Sequence, residues 1–167
     1  MPVRISQLLY PRLTVLITTC DARGRPNVAT FSFVMPVSFE PKYVAFSVAP
    51  DRHTFSNLRE VPEFVVNVPT FDMLAIVCLC GRRSGRDVDK FKLAGLTPVP
   101  SVRVRPPRVG ECPVQLECVV ELAREFGDHW LVVGRVVEEH VERVDFEPLL
   151  HHTSRRFIRP GAAVEAE

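Results

Sequence analysis

The strongest constraint on the fold is a pair of long β-prone runs near the C-terminal end. Val114 to Glu125 and Trp130 to Val141 are rich in β-branched and apolar residues. Only Phe126-Gly127-Asp128-His129 separates them. So short a connection allows only antiparallel pairing, because a parallel pair needs a crossover of a dozen residues or more. Both arms are long enough that a β-bulge is expected to bend one of them. An all-helical bundle and a doubly wound parallel sheet are both disfavoured.

Strand signals recur upstream. Leu13 to Thr19 is a continuous β-branched run, the pattern of a strand covered on both faces. A turn cluster, Asp21 to Pro26, follows, with Gly24 free to take a positive φ. Asn27 to Phe33 alternates apolar and polar residues and completes a hairpin. Tyr43 to Ala49 and Glu63 to Val68 read as further strands, and Pro36 and Pro41 bracket a short irregular stretch. His53 to Val61 reads as a short helix with Phe55, Leu58 and Val61 on one side, stopped by Pro62. Asp72 is placed to cap a helix from Met73 to Cys80 with Gly81 behind it; Asp87 is placed to cap Val88 to Ala94, ahead of Gly95. Thr97 to Pro113 is a proline-rich, basic loop around a short strand. Phe146 to Arg159 is expected to hold a helical turn, and the end of the chain from Gly161 to fray. Six or seven mostly antiparallel strands with short helical inserts describe a mainly β fold, a closed or partly closed barrel. The 167 residues suit one domain, with a core over about residues 10–145 and a tail from 146 to 167.

Composition removes several function classes. A net charge of +1 gives no general attraction for nucleic acid or an anionic membrane surface. The arginines of the 97–113 loop are expected to be solvated. No apolar run reaches the length of a membrane span, and the N-terminus lacks the apolar stretch of a signal peptide, so a cytoplasmic location is expected. Five cysteines are odd in number and irregular in spacing, and Cys78-Leu79-Cys80 is not a C-x-x-C pair. They read as small core residues, with Cys20 alone near a strand end that could face a cofactor. His151-His152 is adjacent rather than spaced for one helical face and makes a poor metal pair. Neither a Rossmann G-x-G-x-x-G, a phosphate-binding G-x-x-x-x-G-K-[ST] nor a G-x-S-x-G motif occurs.

Four stretches, in order along the chain, carry a resemblance. Arg25 to Phe33 contains Asn27-x-Ala29-x-Phe31-Ser32. Val37-Ser38-Phe39-Glu40-Pro41 is followed by Val44 to Val48, by Asp51-Arg52-His53-Thr54-Phe55-Ser56-Asn57-Leu58, and by the strand Glu63 to Val68. Ser84-Gly85-Arg86-Asp87-Val88-Asp89-Lys90-Phe91 leads to Ala94-Gly95-Leu96-Thr97. Gly127-Asp128-His129 precedes Leu131-Val132-Val133-Gly134. Together these resemble the flavin reductase-like family, which includes flavoredoxin and ferric reductase-like proteins. The tail, Leu149 to Phe157, is only loosely similar to the family's aromatic-rich ending, with His151 and His152 where aromatics often stand.

The resemblance implies an antiparallel, Greek-key, FMN-binding split β-barrel and a homodimer. It implies an oxidoreductase that takes hydride from NADH or NADPH onto FMN. The electrons then pass to oxygen, ferric iron or a separate monooxygenase. By the same resemblance, Thr30, Phe31, Ser32, Phe33 and Val34 run beside the flavin ring. Ser47, Val48 and Ala49 end a strand near the ribityl chain. Arg52, His53 and Thr54 hold the phosphate at a helix start, where N–H groups and the macrodipole favour an anion. Asn57 fixes that loop, and Ser84 and Lys90 close over the phosphate. His129 is the candidate catalytic group, near the flavin's pyrimidine edge or the nicotinamide. Each has an ordinary explanation too: outward alternation for Ser47, helix capping for Thr54, surface charge for Arg52 and Lys90, a turn position for His129. Two alternatives stay open: an FMN-binding electron-transfer module without a nicotinamide site, and a barrel of this kind that holds haem or a deazaflavin instead.

Overall fold

The computed structural model describes residues 3–153 and 155–166; Ser154 of the tail and the terminal Glu167 lie outside them. Helix α1 (Ile5–Leu8) leads into strands β1 (Arg12–Leu13), β2 (Val15–Cys20), β3 (Pro26–Phe31), β4 (Val34–Phe39) and β5 (Lys42–Val48). Helix α2 (His53–Glu60), strand β6 (Glu63–Val68) and helices α3 (Leu74–Arg82) and α4 (Lys90–Ala94) follow. The short pair β7 (Pro98–Val99) and β8 (Arg108–Val109) precedes the long hairpin β9 (Val114–Phe126) and β10 (His129–Val141). Strands β11 (Leu150–Thr153) and β12 (Arg156–Ile158) end the fold.

The main sheet has seven strands in the order β3-β2-β6-β9-β10-β5-β4, each antiparallel to its neighbours. Its edge strands β3 and β4 are consecutive in the chain, linked only by Ser32 and Phe33. The sheet therefore curls until its edges meet at that link without pairing, which leaves a barrel split along one seam. Phe33 of that link extends the β4–β5 ladder, its carbonyl accepting from Ser47 N at 3.0 Å.

Strand β2 is buried along its whole length because both faces are covered. Val15 and Ile17 point into the barrel with Phe46, Phe64, Val66 and Val132. Leu16 points the other way, against Val77 and Cys80 of α3 and Phe91 of α4. Rings fix the barrel core: Phe46 lies edge-on to Phe31 and to Phe64, both with centroids at 5.1 Å. Burying a side chain of this size contributes about 1.5–3 kcal/mol. The long hairpin carries two register shifts, at Val133/Gly134 and Val136/Glu138, so the expected bend is present. Gly134 sits where a Cβ would run into the Phe64 ring and stand 3.2 Å from Cys118 Cβ.

Five local expectations are corrected. The stretch around Pro36 is not irregular: it is β4, paired with β5, and proline is tolerated because β4 is an edge strand. Among its described residues the tail forms no helical turn. It folds back as β11 and β12, and β11 pairs with β1 through Arg12–His151 and Leu13–Leu150. Helix α4 is capped by Asp89, whose carboxylate accepts from Lys92 N, and not by Asp87, while Gly95 closes it at φ 66°. Gly81 lies inside α3 and Asp72 in the 3₁₀ turn before it, so neither caps that helix. The basic loop is not simply solvated. Arg103, Arg105 and Arg108 pair with Glu138, Glu63 and Glu117, and buried Glu117 also accepts from Val102 N and Arg103 N and meets His140 at 2.7 Å.

Candidate functional site

A cleft of about 500 Å³ opens where the β3–β4 seam, the end of β5, the start of α2 and the α3–α4 connection converge. Thr30, Phe31, Ser32 and Phe33 form one wall and Ser47, Val48 and Ala49 the facing strand end. Arg52, His53 and Thr54 bring the start of α2 to one end; Ser84 and Lys90 approach from the α3–α4 connection, and His129 stands at the rim. Two residues expected in the site are not among those lining it. Val34 packs against the barrel core and lines an adjoining groove. Asn57 is buried behind the site, where its amide donates to Thr19 Oγ1 at 3.0 Å.

The polar end leaves buried polar atoms short of protein partners. Lys90 is 4% exposed, yet its ammonium has a backbone carbonyl as partner, Cys80 O at 3.2 Å. Burial draws its pKa down from 10.5 to about 8. Nearby, Asn27 Oδ1 and His53 Nδ1 are buried without a hydrogen-bond partner. Burial, and then the charges of Arg86 and Lys90, depress the His53 pKa. Buried polar atoms normally find partners, so this cluster could take its missing bonds from a polar ligand. Thr54 does not cap α2. Arg52 occupies the N-cap position without a side-chain cap, and Thr54 Oγ1 accepts from Asn27 Nδ2 at 3.3 Å. The first N–H groups of α2 thus have no side-chain acceptor at the cleft end.

Close backbone approach shapes the same end. A Cβ on Gly85 would overlap the Asn27 carboxamide oxygen and lie 2.8 Å from His53 Cδ2. Arg86 clamps the loop across α2, donating to Asp51 O at 2.7 Å and Ser56 Oγ at 2.9 Å. Thr30 ties the wall to α3 through Val77 O at 2.6 Å, so its side chain is committed to the scaffold.

The rim is aromatic. The His129 ring lies 5.9 Å from that of Phe33, and its Nδ1 meets Asp128 Oδ1 at 2.7 Å, which holds the Asp128 carboxyl below its usual range. Arg12 covers the Phe33 ring at 5.5 Å and contacts His151 Nδ1 at 3.0 Å. The tail histidines are packed: His152 lies 4.0 Å from Tyr10, and His151 stacks edge-on to Phe157.

Asn27, Asp51, Gly85 and Arg86 were not assigned to the site from sequence. All four lie inside the quoted motif stretches, so the signal was there. All five cysteines are free, and Cys20, Cys80, Cys112 and Cys118 are buried. Cys80 lines the cleft, its thiol pushed up to about 11 by burial, whereas Cys20 is not among the lining residues.

Comparison with known proteins agrees in extent and fold. The flavin reductase like domain matches residues 7–158. An uncharacterized protein of Archaeoglobus fulgidus is 38% identical over 143 residues, 86% of this chain and 78% of that one. One from Pyrococcus abyssi is 35% identical over 84% of this chain and 80% of its own length. Among solved structures, flavoredoxin of Desulfovibrio vulgaris superposes with a TM-score of 0.86 at 26% identity, covering 99% of this chain and 97% of that one. An FMN-binding protein of Thermus thermophilus reaches 0.90 at 23% identity, covering 100% and 96%. The split barrel and the family match over nearly the whole chain agree: this chain belongs to the flavin reductase-like family.

Proposed function

We propose that this chain binds FMN in the cleft and acts as an oxidoreductase, passing reducing equivalents from NADH or NADPH to an acceptor. The observation that carries this reading is the buried Lys90 ammonium, held by one carbonyl at the cleft's polar end beside the uncapped start of α2. A buried cation without a carboxylate partner is costly, and a bound dianion offsets that cost. FMN has a phosphate for this end and a flat ring for the wall of Phe31, Phe33 and Val48.

When bound, FMN supplies a ring that accepts hydride and releases electrons singly or in pairs. The chain's own residues bind and orient. Lys90, Ser84 and the first N–H groups of α2 hold the phosphate, with Arg52 at the edge. Asn27 and His53 fill their open valences at the same end. Backbone groups from Thr30 to Phe33 face the ring's polar edge. Phe33, screened by Arg12, limits water at the rim. His129, oriented through Nδ1 by Asp128, keeps Nε2 for a ligand at that rim. Exposed Met35, Val37 and Phe39 on the edge strand β4 offer an apolar face suited to a second copy of the chain. The monooxygenase component of Bacillus cereus among the similar structures makes a partner monooxygenase one candidate acceptor.

Anaerobic mixing of the FMN-loaded protein with NADH and with NADPH tests the reading: flavin absorbance bleaches with at least one. The packing of His151 and His152 into the fold favours a second reading, an FMN electron carrier without a nicotinamide site. That carrier would retain FMN and not bleach.

A further inference from the structure

The cleft is more cationic than one phosphate group requires. Arg52, Arg82, Arg83, Arg86 and Lys90 all line it, against Asp51 as the one carboxylate among its lining residues. A phosphomonoester at neutral pH brings about −1.5 to −2. The cations are not equally engaged. Arg86 is committed to Asp51 O and Ser56 Oγ, and Arg52 Nε lies 3.6 Å from Asp51 Oδ1. Lys90 occupies the buried inner end. Arg82 and Arg83, at the close of α3, are exposed, and neither guanidinium forms an ion pair with a described residue. The guanidinium groups of two successive residues that line the same cleft, each able to bind phosphate through two N–H donors, are thus left open.

We propose that Arg82 and Arg83 form a second phosphate subsite, distinct from the inner end at Lys90, which takes a phosphate group beyond the flavin's own monoester. This rests on the flavin reading above. Such a group has two sources: the diphosphate of a pyridine dinucleotide, or that of FAD in place of FMN. The charge excess favours the dinucleotide. FAD spreads about the same charge over two groups, whereas a dinucleotide adds its own diphosphate, and its 2′-phosphorylated form adds a further dianion. The subsite would then select the reductant, with NADPH preferred over NADH. Arg82 and Arg83 also stand where cations complement the C-terminal dipole of α3; that role alone predicts a stability change without ligand selectivity.

The test compares wild type with the double variant Arg82→Gln/Arg83→Gln. FMN-loaded protein is titrated calorimetrically with ADP-ribose and 2′-phospho-ADP-ribose, which carry the dinucleotide's phosphates without its redox chemistry. Flavin-free protein is titrated with FMN, FAD and ADP-ribose. The proposal expects FMN affinity to change less than about twofold while the ADP-ribose compounds weaken at least tenfold, the 2′-phosphorylated one more. The wild-type preference should shrink in high salt. A selective loss of FAD alone also supports a second phosphate subsite and assigns it to the flavin. Equal losses for all ligands, or a lowered Tm with unchanged affinities, overturn it. Should wild type fail to bind FMN, the functional reading fails on its own. ADP-ribose binding to flavin-free protein then decides the subsite: a tenfold loss in the variant supports it and no loss overturns it.

Discussion

Replacing Lys90 with methionine should make the ligand-free protein more stable and a worse binder. Lys90 is 4% exposed, and burial draws its pKa from 10.5 to about 8. At 1.36 kcal/mol per pKa step, keeping the ammonium charged costs the fold about 3 kcal/mol. Methionine fills similar volume without charge, but forfeits the bond to Cys80 O, worth about 1 kcal/mol. The net gain is about 2 kcal/mol, roughly 4–8 °C in Tm for a chain of this size. The sign of the pH dependence follows. Below pH 8 the lysine is charged in both folded and unfolded states and the full cost applies. Between 8 and 10.5 the unfolded chain holds more protons, so wild-type stability rises with pH and the advantage of Lys90→Met shrinks. FMN affinity moves oppositely, falling at least tenfold in the variant, and in wild type as pH rises through about 8. Calorimetric melts at pH 7 and 10 and quenching of FMN fluorescence measure both effects. A variant that melts lower and still binds FMN normally would refute the reasoning, making Lys90 a scaffold residue.

Gly85→Ala should weaken FMN binding at least tenfold while costing about 1–3 kcal/mol of stability, because its methyl displaces Asn27 and His53; equal FMN affinity would remove Gly85 from the binding end. His129→Ala should slow flavin reduction by NAD(P)H by about tenfold or more, with FMN affinity nearly unchanged; stopped-flow bleaching at the wild-type rate ends its catalytic role. For Glu117, burial works to raise the carboxyl pKa, but Val102 N, Arg103 N and His140 outweigh it and hold the pKa below 4.5. Its stabilisation is therefore full above 4.5 and lost as pH falls through the lowered value. Glu117→Gln should cost about 1–3 kcal/mol in urea titrations at pH 7 and progressively less below pH 4.5. Sedimentation at micromolar concentration should find a dimer; monomer alone would count against the exposed face as an interface between copies.

The long hairpin, the β2–β3 hairpin and helix α2 were legible because each is decided locally, by a turn and a residue pattern. What sequence hid was decided by distant partners. Pro36 reads as a breaker until β4 is seen as an edge strand, whose missing N–H costs no ladder bond. The tail reads as a turn until β1 supplies its partner through Arg12. Asp87 and Asp89 are equally good caps on paper; the turn at Ser84, whose carbonyl accepts from Asp87 N and Val88 N, leaves Asp89 at the helix start. The motif stretches converge on one cleft, but their letters do not say which side chains face it. Thr30 spends its hydroxyl on α3, and Asn57 braces Thr19 from behind. Gly85 and Arg86 carry no chemistry of their own in sequence. Their importance appears only once α2 and the α3–α4 connection are brought together.

The most direct test of the central claim is the visible spectrum of the purified protein after FMN is added and unbound flavin removed by desalting. Retained flavin bands near one FMN per chain, with FMN fluorescence changed on titration and both effects lost in Gly85→Ala, are what the cleft predicts. No retained flavin and no change in fluorescence would mean that the fold stands and the function proposed for its cleft does not.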